Sequence, residues 1–107
     1  MSRVAVLGER DAVLGFRASG AVVYCADSAA EARDALEEVQ KEDFAILLVT
    51  EWVAEVLKTE LAPLYEQPKP VVTVLPDARG IGGQAMEILR KRVERAVGAN
   101  ILLKREE

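Results

Sequence analysis

Four short runs of Val, Ile and Leu punctuate the chain: RVAVL at 3–7, AVVYC at 21–25, AILLV at 45–49 and PVVTVL at 70–75. Runs this short, apolar at successive positions and rich in β-branched residues, fit strands of a parallel sheet covered on both faces. Val4, Val6, Ile46, Leu48, Val72 and Val74 are therefore expected in the core. Between the runs, apolar residues return every three or four positions, which predicts helices over 11–19, 28–42, 50–64 and 84–97. Gly20 and Gly98 follow the first and last of these and read as stops, and Pro63, Pro68 and Pro70 mark where the third helix gives way to the last strand. Ser28-Ala-Ala-Glu31 is a capping box that satisfies two amides with no helical partner, and Thr50 is an N-cap for the next helix. Strand and helix alternating through short links require right-handed crossovers. The expected fold is an α/β three-layer sandwich on a four-stranded parallel sheet, Rossmann-like and receiver-like in outline, with an amphipathic helix at its C-terminus.

Charge divides this plan in two. Residues 1–78 carry 7 Lys and Arg against 14 Asp and Glu, whereas residues 79–107 carry 7 against 4, so a domain of net −7 is followed by a tail of net +3. The reading is a compact domain over 1–78 and a separate C-terminal element over 79–107. In the last helix Met86, Leu89, Val93 and Ala96 recur at spacings of 3, 4 and 3, the narrow seam of a helix that packs along another helix. Arg90 and Arg92 flank the seam, and these six residues are the candidate partner-binding set. The overall charge of −4 and a pI near 5.0 argue against a surface built for nucleic acid. No stretch approaches the ~20 apolar residues of a membrane span, so direct membrane insertion is not expected. Cys25 stands alone and there is no His, which leaves no disulfide and no zinc or haem ligand set and suits a reducing, cytoplasmic location.

Three glycines in four residues precede the last helix. Gly80-Ile81-Gly82-Gly83-Gln84-Ala85 matches the G-x-G-x-x-A form of the dinucleotide fingerprint, but that motif belongs in the first strand-to-helix turn, and here it follows the last strand. The Gly-Lys-Ser/Thr ending of a nucleoside triphosphate loop is missing as well. No cofactor is expected, and Gly80, Gly82 and Gly83 read as a hinge for the helix. The polar residues near strand ends, Glu9, Asp11, Thr50, Glu51 and Asp77, each fit a turn or a helix start as well as any catalytic role. A receiver domain would end its third strand on a phosphate-accepting aspartate, where this chain has LLVTE, and would carry a lysine on a fifth strand that is absent here. Trp52, in the first turn of a helix beside the sheet, is assigned to the core.

GFRASG at 15–20, AILLVTEWVAE at 45–55, PVVTVLP at 70–76 and RAVGANI at 95–101 resemble, in order and spacing, the signature stretches of the F subunit of the archaeal and vacuolar-type (A-type and V-type) rotary ATPases. The resemblance covers nearly the whole chain. It implies a noncatalytic rotor subunit of the central stalk that binds the long coiled-coil D subunit inside the ring of catalytic and regulatory head subunits. It also implies a parallel α/β domain with a mobile C-terminal helix. The alternative from the residues alone is a free-standing receiver-like or ligand-binding regulatory module.

Overall fold

The computed structural model describes residues 3–75 and 84–106, with side chains over 3–75 and 87–98. Four parallel strands, β1 (Val4–Gly8), β2 (Val22–Cys25), β3 (Ile46–Val49) and β4 (Val71–Val74), form one sheet in the order β2-β1-β3-β4. The crossovers are α1 (Arg10–Val13) with a 3-10 turn (Leu14–Phe16), then α2 (Ala29–Gln40), then α3 (Glu51–Val56) with α4 (Lys58–Tyr65); α5 (Gln84–Glu106) closes the chain. The α/β sandwich expected from the periodicity is the observed fold.

Alternate strand residues feed two cores. On one face Ala5, Leu7, Leu47 and Val49 pack with Leu36 and Val39 of α2, Val53 of α3, and Leu57, Leu61 and Leu64 of the α3–α4 segment. On the other, Val4, Val6, Leu48 and Leu75 pack with Val13, Phe16, Ala21 and Val93 of α5. Burial falls away at the sheet edges. Val72 is only partly buried and Val74 is 40% exposed, because β4 is an edge strand; Ile46, on β3, is partly buried where it pairs with the exposed Val71. The expectation of two covered faces thus holds for β1 and β3 and fails at β2 and β4.

Three helix boundaries also differ from the periodicity. The first helix is four residues long and then tightens, with the amides of Arg17, Ser19 and Gly20 each donating to the carbonyl three residues back. Gly15 lowers helix propensity in the middle of this segment, and Gly20 ends it at φ 89°, a conformation that favours glycine. The third helix breaks at Leu57 (φ −107°, ψ 23°), and Pro63 lies inside α4 near its end rather than terminating it. Its missing N–H costs a single bond in a helix that ends two residues later. Gly98 does not stop α5, which runs on for a total of 23 residues; one glycine costs about 1 kcal/mol, and the Ala, Leu and Lys residues beyond it favour continuation.

The capping predictions hold, with one shift of partner. Ser28 Oγ accepts from the Glu31 amide at 3.1 Å, while Glu31 Oε1 accepts from the amide of Asp27, one residue ahead of the N-cap, at 2.9 Å. Ser28→Ala should lower stability by about 1 kcal/mol, read as a reduced urea midpoint at unchanged slope. Two surface carboxyls are held below their usual range: Asp43 by its hydrogen bond and charge pairing with Lys69, and Glu60 by its hydrogen bond from Arg33. Their folded pKa values are depressed, so what they add to stability is present at neutral pH and is lost as pH falls through the carboxylate range.

Candidate functional site

The polar residues near the C-terminal ends of β1 and β3 have structural duties. Thr50, buried at the start of α3, donates its hydroxyl to Glu9 Oε1 and accepts from the Val53 amide, so one side chain ties the loop after β1 to the cap of α3. Asp27 accepts from the Arg10 amide at 3.4 Å, and Asp11 and Glu51 are exposed first-turn residues. Among the described residues no group of three or more His, Cys, Asp or Glu side chains could hold a metal ion. Asp77 lies outside the described residues. Trp52 packs, half-buried, against the first core as the sequence suggested.

The larger feature is α5. Among the described residues, no helix is long and apolar enough to cross a membrane, α5 included. Among its described side chains, three enter the second core: Val93, 5% exposed, with Leu89 and Val97 partly buried on either side of it. On the side toward the domain Val97 joins Leu89 and Val93, while Ala96 of the sequence seam is exposed. Arg92 is exposed, and Arg90, partly buried, pairs with Glu87 at 3.3 Å. The side chain of Met86 and the hinge residues Gly80, Gly82 and Gly83 lie outside the described residues.

The receiving surface for α5 was not legible in the sequence. A Cβ placed on Gly15 would stand 3.6 Å from the Arg90 guanidinium, and one on Gly20 would stand 2.9 Å from Val97 Cγ1. The two glycines of GFRASG are thus the points where the 3-10 turn and the turn after it meet α5, with Phe16 buried between them. Because Arg90 leans over Gly15, this flank of α5 faces the α1 side of the sheet. At about 100° per residue, Glu87 and Glu94 share that flank, while Ile88, Arg92, Arg95 and Ala96 fall toward the opposite one, over the β3–β4 side.

Burial across that face of the sheet drops in steps. The row Val4, Ile46, Val71, aligned by strand register, runs from 1% exposed through partly buried to 54% exposed, and the row Val6, Leu48, Thr73 ends on an exposed residue in the same way. Among the described residues, the cover formed by α1, the 3-10 turn and α5 stops over β3.

Comparison with known proteins agrees with this architecture. Residues 4–93 match the family model described as ATP synthase (F/14-kDa) subunit. The chain is 32% identical over 100 residues to the V-type ATP synthase F subunit of Clostridium botulinum (strain Eklund 17B / Type B), covering 94% of this chain and 97% of that one. It is 34% identical over 106 residues to the A-type ATP synthase F subunit of Pyrococcus furiosus, covering 92% and 97%. The crystal structure of the V-type ATP synthase F subunit from Archaeoglobus fulgidus superposes with a TM-score of 0.57 over 70% of this chain and 98% of that one, and at 23% identity this likeness speaks to the fold.

Proposed function

The chain belongs to the F-subunit family of the V-type and A-type ATP synthases, and from that premise we propose that it is a rotor subunit of the central stalk, held by the coiled-coil D subunit. It is a noncatalytic subunit of the complex. In this reading it turns with the D subunit inside the ring of catalytic and regulatory head subunits and helps couple ATP synthesis or hydrolysis to ion transport, on the cytoplasmic side of the membrane.

The observation that carries the finer reading is the attachment of α5. Among the described side chains of the 23-residue helix, those of Leu89, Val93 and Val97 enter the second core. A seam that narrow, with Met86, Leu89, Val93 and Ala96 spaced 3, 4 and 3 in the sequence, also suits a helical partner. We assign α5 two homes: docked on the second core, or laid along the D subunit through Met86, Leu89, Val93 and Ala96, with Arg90 and Arg92 against acidic side chains of the partner. Gly80, Gly82 and Gly83 supply the hinge between them, dividing the chain into a domain over 1–78 and a mobile element over 79–107.

Coexpression with the D subunit tests the reading. The two proteins should copurify in a one-to-one complex that persists through gel filtration, and the chain alone should neither hydrolyse ATP nor bind it more tightly than millimolar in a calorimetric titration. A chain that stays free of the D subunit while taking a small ligand at micromolar concentration would instead be a regulatory binding module.

A further inference from the structure

The slot left open beside α5 has a definite chemistry. Its floor is the exposed face of β4 and the partly buried Ile46, with Val71 54% exposed and Thr73 exposed beside it. Its wall is the flank of α5 that carries Ile88, 53% exposed, with Ala96, Arg92 and Arg95, all exposed. Both carboxylates of the described outer surface of α5, Glu87 and Glu94, fall on the other flank, so the wall is apolar and cationic with no compensating acid of its own among the described residues of the helix. At the entry to β4, Lys69 is already paired with Asp43 at 2.9 Å.

We propose that this trough is a docking site for one helix of another protein, apolar along one stripe and acidic beside it. A helix is the element that fits, because helices α2, α3 and α4 pack on the opposite face of the same sheet, whereas on this face the described helical cover ends over β3. A helix laid over β3 and β4 next to α5 completes the layer, at the usual spacing of about 8 to 10 Å between helix axes. From Ile88 to Ala96 the wall is about 12 Å long, room for two to three helical turns. Its apolar stripe would cover Val71, Ile46 and Ile88, and its acids would meet Arg92 and Arg95. The occupant is not a second copy of this chain through its described helices: the acid-rich α2 has its apolar line, Ala32, Leu36 and Val39, buried in its own core. The inference goes beyond the rotor reading and needs α5 in its docked position, so a helix seated in the trough would also favour that position by mass action.

A labelled amphipathic peptide of about 20 residues, with Leu on one stripe and Glu on both flanks, serves as the probe against the full-length chain, and the same peptide with Lys in place of Glu is its counterpart. By fluorescence anisotropy the Glu peptide should bind about tenfold or more tightly than the Lys peptide, and weaken as salt rises from low to physiological strength. Val71→Glu and Arg92→Glu should each lower its affinity about tenfold, and Lys41→Glu, at the far end of α2, should leave it unchanged. Thr73→Glu and Arg95→Glu repeat the test on both sides of the trough should either first variant melt early. Equal binding of the two peptides, full binding by the variants, or tighter binding of a single-stranded oligonucleotide than of the Glu peptide would overturn the proposal. Copurification with the D subunit is read separately, so a stable complex in which Val71 and Arg92 prove indifferent to both that partner and the peptide removes the trough and leaves the rotor reading standing.

Discussion

Gly8→Ala should destabilise the domain by about 2 to 4 kcal/mol, the largest loss expected from adding a single methyl group to this chain. Gly8 is the buried last residue of β1, and its carbonyl accepts from the Ala26 amide at 2.9 Å, so the strand is held in place on that side. A Cβ there would overlap Thr50 Cγ2 outright and stand 2.9 Å from both Thr50 Oγ1 and Val13 Cγ1. Thr50 cannot turn away freely, because its hydroxyl caps α3 and bonds Glu9, while its amide is tied to the Leu7 carbonyl at 3.2 Å. Overpacking of this kind costs about 1 to 3 kcal/mol, and loss of the cap adds about 1 more. A second substitution locates the cause. Thr50→Ser deletes the offending methyl and keeps the hydroxyl, so Gly8→Ala combined with Thr50→Ser should recover most of the loss. Urea unfolding of both variants checks this, and a Gly8→Ala domain as stable as the parent would mean that β1 and α3 can separate at no cost.

This contact also marks the boundary of what the sequence discloses. Strand positions, their parallel arrangement and the caps at Ser28 and Thr50 follow from local periodicity and short-range hydrogen bonding, and the structure places them within a residue or so of expectation. What stayed hidden depends on neighbours far away along the chain. RVAVL and PVVTVL read alike, yet β1 lies inside the sheet and β4 at its edge, and strand order cannot be recovered from composition. Gly15 and Gly20 could be read as weakening or ending a helix; that Gly15 lies against Arg90 and Gly20 makes room for Val97, both on α5 some 75 residues later, is a tertiary fact. The same holds for the partner surface. Leu89 and Val93 were legible as a seam, whereas the trough is built by two elements whose exposed residues look unremarkable in isolation, a valine on an edge strand and an isoleucine between charges.

The docking of α5 sets the second large effect. In Leu89→Asp with Val93→Asp, the carboxylate at 93 would sit among Val4, Val6, Val13, Phe16 and Leu48 with no partner, an arrangement that α5 avoids by leaving the sheet. Removing two apolar side chains from the contact line alone weakens docking by about 3 kcal/mol, about two decades in the equilibrium between docked and free helix. A free helix of this length is marginal in water, so undocking should also lower helicity and expose the second core to a hydrophobic dye, while β1 and β3 stay paired. Spin labels on Ser28 and Lys91, both at the surface, report the position of α5 directly. The parent chain should give one narrow distance distribution and the double variant a broad one. Adding the D subunit should shift the parent distribution to a second narrow distance but leave the variant broad, because both homes proposed for the helix use Leu89 and Val93. The three-way comparison separates hinge from anchor. If the D subunit binds the parent with the label distance unchanged, α5 remains on its own sheet in the complex and the partner is held elsewhere; if the double variant keeps the narrow distribution of the parent, Val93 does not hold the helix and the two-home account fails at its first step.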